Sequence, residues 1–234
     1  MSDFAISNAR LFDGTRFLSG HSVLVTDGKI DAVVADKDLP AGIKTIDGSG
    51  QTLSPGLIDV QVNGGGGVLL NDAPDLETIK TMVAAHRRFG TTSMLPTLIT
   101  DSRAKMEAAI AAVQDALDNG IAGVVGIHLE GPYLNLKRRG VHSADQIRPM
   151  EPDAIELVSK LRNGCTLLTL APELLDKGVI AKLVARDVRV CAGHTAGTYD
   201  DIMSAIDEGM QGFTHLFNAM SPLTHREPGV VGAA

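Results

Sequence analysis

Three side chains in the 234-residue sequence could share one metal ion: Glu130, His194 and His215. Glu130 closes the run Gly-Ile-His-Leu-Glu, His194 follows Val-Cys-Ala-Gly, and His215 sits in Gly-Phe-Thr-His-Leu-Phe-Asn. Two imidazoles and one carboxylate are a common hydrolytic ligand set that leaves a fourth position for water. Spacing alone is weak evidence here, unlike a compact helical H-E-x-x-H pair. Taken singly, each histidine reads more readily as a hydrogen-bonded core residue. His128 lies two before Glu130 on the same strand face and competes as a ligand, but a buried hydrogen-bonding role is preferred for it. Gln61 and Asn63 are also two apart and share a face. Neutral amides are poor ligands for a transition metal, so both are expected to line the site and hydrogen-bond there.

Other polar features carry less. Gly64–Gly67 follows an apolar run, but no Gly-Lys-Ser/Thr follows it, so phosphate cradling is weakly supported. The glycines are expected to let a loop pass close to the site. Lys137-Arg138-Arg139 reads as a solvated loop, with steering of an anionic substrate as the alternative. His21 and His86 look peripheral, His225 has no assigned role, and Asp59 reads as structural. Cys165 and Cys191 sit in apolar runs and read as buried thiols.

Elements must then bring the reactive residues together. Up to about residue 55, short β-like runs (4–6, 22–26, 29–34) are broken by Asp13-Gly14, Asp27-Gly28 and Asp47-Gly48. Asp-Gly is a strong hairpin signal, so residues 1–55 are expected to form a small antiparallel β module. From residue 56 the pattern becomes strand, loop, helix. Strands are expected over 57–62, 91–97, 124–129, 165–171, 188–192 and 212–216. Ile79, Met82, Val83 and His86 mark one helix face, and Met106, Ile110, Val113 and Leu117 another. Asp101 or Ser102 can cap the second helix and Gly120 can end it. A third helix fits between Thr198 and Gly209. Alternating elements imply a parallel sheet. Reactive side chains at the ends of strands 1, 3, 5 and 6 favour a (β/α)₈ barrel, which builds its site from many strand ends, over an open sheet with one switch point. A whole barrel takes about 250 residues and eight strands. Only six strands are counted in residues 56–234, so the barrel is expected to be incomplete, with no helix after the sixth strand.

The net charge is −7 without long runs of one sign, and no basic patch suggests nucleic acid as a partner. No stretch reaches the ~18 apolar residues of a membrane span, and no signal peptide is evident. Two cysteines are too few for a disulfide framework. A cytoplasmic protein is expected.

Four segments carry a resemblance: Pro-Gly-Leu-Ile-Asp-Val-Gln-Val-Asn-Gly, His-Leu-Glu-Gly-Pro-Tyr-Leu-Asn, Ala-Gly-His-Thr and Thr-His-Leu-Phe-Asn-Ala-Met-Ser. They resemble the N-acetylglucosamine-6-phosphate deacetylase family of the amidohydrolase superfamily. The resemblance runs from the β module to the last residue. It implies one divalent metal ion, zinc first and iron second, on Glu130, His194 and His215. It also implies substrate contacts from Val141 and His142, with a solvated loop as the alternative for that histidine. Asn218, the backbone of Ala219 and Arg226 are implied contacts for the sugar phosphate; a guanidinium suits that bidentate job. The implied reaction is hydrolysis of an N-acetyl group to glucosamine 6-phosphate and acetate, in a homodimer. The family's acid/base aspartate lies on an eighth strand, so residues 1–234 alone are expected to be inactive. Two alternatives stand beside this reading: another cyclic amidohydrolase, or a non-catalytic fragment that binds sugar phosphate or metal.

Overall fold

The computed structural model describes residues 3–234. The chain divides into two compact units, Met1–Gly56 and Leu57–Ala234.

Among the described residues the first unit holds seven short strands: β1 (Phe4–Ser7), β2 (Arg10–Phe12), β3 (Phe17–Leu18), β4 (His21–Thr26), β5 (Lys29–Ala35), β6 (Lys44–Asp47) and β7 (Thr52–Leu53). They form two sheets, in the orders β5-β4-β1-β6 and β3-β2-β7. Hairpins β2–β3 and β4–β5 and the pair β1–β4 are antiparallel, as expected. The tight β4–β5 turn has Asp27 and Gly28 at φ 50° and 77°, the left-handed pair that a two-residue hairpin turn demands. Two pairings depart from a purely antiparallel module: β1–β6 and β2–β7 are parallel. Asp47-Gly48 therefore ends a strand without making a hairpin. Leu11, Val23 and Val25 form the small core, packed by Phe4, Leu18 and Leu53.

The second unit alternates strands and helices. Its elements are β8 (Leu57–Val62), the ribbon β9 (Gly64–Gly65) and β10 (Val68–Leu69), α1 (Leu76–Arg87), β11 (Thr91–Ile99), α2 (Arg103–Asp118), β12 (Gly126–Glu130), α3 (Ala154–Val158), β13 (Cys165–Leu170), α4 (Val179–Val184), β14 (Val188–Ala192), α5 (Tyr199–Asp207), β15 (Gly212–Phe213) and α6 (Gly229–Ala233). Six strands make one sheet in chain order, β8-β11-β12-β13-β14-β15, and every pair is parallel. This is the part-barrel expected. Two local expectations fail. The sixth strand stops at Phe213, because the chain turns at His215, Phe217 and Ala219, all with positive φ. A short helix, α6, does follow it.

Capping explains where the helices start. Asp75 accepts from Thr78 N to open α1, and Ser102, rather than Asp101, accepts from Lys105 N to open α2. Thr198 and Asp201 form a reciprocal capping box on α5. Ile79, Met82, Met106, Ile110 and Val113 bury the inner helix faces in one core with Ile127, Leu129, Leu168 and Val190 from the strands. Each such side chain contributes about 1.5–3 kcal/mol on burial. At Gly126 a Cβ would overlap the Cys165 carbonyl oxygen, so only glycine lets β12 and β13 approach there. No helix of the described residues is long and apolar enough to cross a membrane.

Candidate metal centre

Strand ends place the three ligand candidates. Glu130 is the last residue of β12; His194 lies two residues past β14 and His215 two past β15. Both histidines take positive φ, 48° and 37°, a conformation that costs a non-glycine residue energy and tends to persist at functional sites. Glu130 Oε1 lies 3.2 Å from His194 Nε2 and 3.2 Å from His215 Nε2. The two Nε2 atoms are 3.0 Å apart.

The tautomers follow from the outer partners. His194 Nδ1 faces the Arg138 carbonyl at 2.8 Å, and His215 Nδ1 faces the Asn218 carbonyl at 3.0 Å. A carbonyl only accepts, so both Nδ1 atoms carry hydrogen. In neutral rings both Nε2 lone pairs then point at each other and at a carboxylate oxygen. That arrangement is repulsive by itself and is satisfied by one positive charge at its centre. Ligand atoms about 2.0–2.2 Å from one tetrahedral cation stand roughly 3.3 Å from each other, close to the spacing here. The donor set fits a divalent ion, and the carbonyl-fixed Nδ1–H groups are the outer partners such ligands usually have.

Electrostatics agree. Burial pushes the Glu130 carboxyl upward, but the His194 and His215 rings against its Oε1, with His142 and His128 nearby, outweigh it and hold the group well below the usual carboxylate range. The adjacent Glu130 carboxylate raises His215 despite partial burial.

The amides divide. Gln61 donates from Nε2 to Glu130 Oε2 at 2.9 Å, so it does hydrogen-bond inside the site. Asn63 does not follow: its buried Nδ2 finds no partner. His142 is 1% exposed, which excludes a solvated loop. Its Nδ1 meets Thr100 Oγ1 at 2.8 Å, its ring packs edge-on to His194 at 4.3 Å, and its Nε2 lies 3.9 Å from Glu130 Oε1. Burial, then His194, lowers it to about 4. Asn218 and Ala219 adjoin the centre through backbone atoms: Asn218 O holds His215, and Ala219 O accepts from Thr195 N at 3.2 Å. Val141 is 85% exposed and Arg226 is exposed. Among the described residues neither side chain hydrogen-bonds to the cluster.

His128 lies deeper, donating from Nδ1 to Val60 O at 2.9 Å while Nε2 meets Thr169 Oγ1 at 2.7 Å. Burial lowers it to about 4. Two loops gain a structural account. A Cβ at Gly65 would fall 2.7 Å from His86 Nε2 and one at Gly66 2.9 Å from Thr81 Cγ2, so these two glycines pack the ribbon on α1. The Lys137–Arg139 loop is more than a solvated charge, since the Arg138 carbonyl orients His194. Thr100, Asn135 and Glu173 were not singled out from the sequence. Thr100 Oγ1 donates to the Glu130 carbonyl and Asn135 N to the His194 carbonyl, while Glu173 acts through neighbouring residues.

Residues 52–232 match the amidohydrolase family. The chain belongs to that family. Residues 3–53 of this amidohydrolase match the NagA composite domain. It is 47% identical over 183 residues to an N-acetylgalactosamine-6-phosphate deacetylase of Shewanella sp. (strain ANA-3), covering 78% of this chain and 46% of that protein. It is 35% identical over 231 residues to the N-acetylglucosamine-6-phosphate deacetylase of Haemophilus influenzae, covering 98% of this chain and 61% of the relative. Among solved structures, the N-acetylglucosamine-6-phosphate deacetylase of Pasteurella multocida superposes with a TM-score of 0.94 at 35% identity, over 99% of this chain and 61% of that one. A Mycobacterium smegmatis mutant in complex with N-acetyl-D-glucosamine-6-phosphate gives 0.86 at 30% identity, over 100% of this chain and 60% of that one. The amidohydrolase chain thus spans about half to three fifths of the relatives it matches.

Proposed function

We propose that the protein to which residues 1–234 belong hydrolyses the N-acetyl group of an N-acetylhexosamine 6-phosphate, giving acetate and the amino-sugar phosphate. The observation that carries this reading is the convergence of Glu130 Oε1 with the two Nε2 atoms within 3.2 Å of one another. Glu130, His194 and His215 would hold the ion, with zinc the first choice for a two-nitrogen, one-oxygen set. That ion would supply polarisation of an amide carbonyl and a water nucleophile near neutral pH. The chain's own residues do the rest. Gln61 fixes the second Glu130 oxygen. His142, neutral at pH 7 beside His194, would meet the sugar. Val141, Asn218, the Ala219 backbone and Arg226 line the approach, Arg226 as the phosphate grip.

N-acetylglucosamine 6-phosphate is the substrate the sequence motifs favour. The 47% identity to a galactosamine-type relative supports the epimer as a second arm. The reading includes a cytoplasmic setting, which suits two free, partly buried thiols, and a homodimer. The test pairs metal analysis with acetate release on both epimers, for residues 1–234 and for the protein extended to its relatives' length. The expected outcome is about one metal per chain in both, with turnover only in the longer form. Turnover by residues 1–234 would refute an acid/base residue beyond residue 234. Lack of metal in both would remove the hydrolase reading.

A further inference from the structure

Both Nδ1 acceptors of the histidine pair are backbone carbonyls. Ring orientation is therefore set by whatever holds that backbone, and for His194 the holder can be traced. Glu173 lies in the 3₁₀ turn Pro172–Leu174 that follows β13. Its Oε1 accepts from Asn135 Nδ2 at 2.9 Å and from Ala196 N at 2.7 Å, and its Oε2 accepts from Thr195 Oγ1. Asn135 reaches His194 by two routes. Its N–H donates to the His194 carbonyl at 2.9 Å, and its own carbonyl accepts from Arg138 N at 2.8 Å. Its Oδ1 accepts from Lys137 N at 2.9 Å. Those last two bonds shape the turn that presents the Arg138 carbonyl to His194 Nδ1. Thr195 N then donates to Ala219 O beside the His215 turn.

We propose that Glu173, acting with Asn135, is a positioning residue for metal binding: it joins the loops after β12, β13 and β14 and holds His194 with Nε2 facing Glu130 and His215. The role rests on reading those three residues as metal ligands. A left-handed φ at a non-glycine residue persists only when surrounding contacts over-determine it, and the Glu173 bonds to Thr195 and Ala196, with its bond to Asn135 against the His194 carbonyl, do so. The fit is close: a Cβ at Gly197 would lie 3.3 Å from Glu173 Oε2 and 3.2 Å from Thr195 Oγ1. Glu173 accepts no bond from the three ligand side chains, so it works through His194.

The test uses the intact protein, stripped of metal and titrated with Co(II). It compares Glu173→Ala, Glu173→Gln, Asn135→Ala and the double alanine variant with the unsubstituted form. Affinity comes from chelator competition, geometry from the visible Co(II) absorption, and stability from thermal unfolding of the metal-free proteins. Loss of an outer partner typically weakens metal affinity about 10–100-fold, and Glu173→Ala should fall in that range with a changed Co(II) spectrum. Glu173→Gln keeps the shape but presents an NH₂ group to one donor, so its loss should be smaller. The double variant should lose less than the two singles together, because both act through one contact. If Glu173→Ala does not fold, Glu173→Gln decides by the same titration. Unchanged affinity and spectrum with only a lower unfolding temperature would make Glu173 a purely structural residue and overturn the proposal. No Co(II) binding by the unsubstituted protein would instead overturn the ligand assignment, and this role with it.

Discussion

Glu130 divides its two oxygens between tasks: Oε1 faces the histidine pair, and Oε2 accepts from Gln61. A hydrogen bond to a charged group is worth about 1.5–3 kcal/mol, and here it also fixes which oxygen faces the histidine pair. Gln61→Leu leaves Oε2 without that donor in a site where Glu130 is 3% exposed. The expected outcome is a lower unfolding midpoint by denaturant titration and metal affinity reduced by about 10–100-fold. An unchanged affinity would mean that Glu130 is oriented without Gln61. Asn63 makes an instructive contrast. It has the same amide chemistry two residues on, yet its Nδ2 is an orphan donor. Buried donors seldom go unpaired in native proteins, so this amide stands out beside the paired Gln61.

At the scale of elements, the clearest local device is the β2–β3 turn. Asp13 Oδ1 accepts from Thr15 N, Thr15 Oγ1 and Arg16 N. The Arg16 and Thr15 backbone bonds bring its carboxyl down from 3.8 to about 2. A carboxyl lowered on folding adds stability that is present above its unfolded value and is lost as pH falls through its folded value. The stability difference between the native protein and Asp13→Asn should be constant above pH 3.8 and close towards pH 2. A difference independent of pH across that window would remove the charge from the account. Such turns, like the capping box on α5, are legible because neighbouring residues make them. The five longer strands of the second unit were legible for a related reason: apolar runs such as 57–62 and 188–192 coincide with β8 and β14. The three side chains that converge at the strand ends, Glu130, His194 and His215, were legible by residue type. The short strands β2, β3, β6 and β7 were not, since two to four residues carry no period and depend on partners distant in the chain. The same holds for His215. Its apolar neighbours Leu216 and Phe217 extend a strand-like pattern, yet the backbone turns there, with Phe217 at φ 79°, and carries the imidazole towards Glu130. Glu173 and Asn135 were hidden because their work is on another residue's backbone.

The sheet of the second unit has two margins, β8 and β15. The β8 margin is the longer and the more apolar, with Leu57, Ile58 and Val60 at 61%, 70% and 49% exposure. Along a strand, alternate residues face opposite sides, so Gln61 turns inward to Glu130 while Ile58 and Val60 face outward. An apolar strand with unpaired backbone groups is a template for another copy. Expressed as residues 1–234, the protein should therefore self-associate in a concentration-dependent way through β8. Ile58→Lys places a charge on that face without touching the cluster, because the residue lies on the opposite side from Gln61. Light scattering should show a larger monomer fraction for the variant at equal concentration, while metal content stays unchanged. If association persists undiminished, the apolar face at β8 is not its route. If metal is lost as well, the outward face of β8 and the ligand cluster are coupled through the strand, and the separation of faces argued from alternation fails.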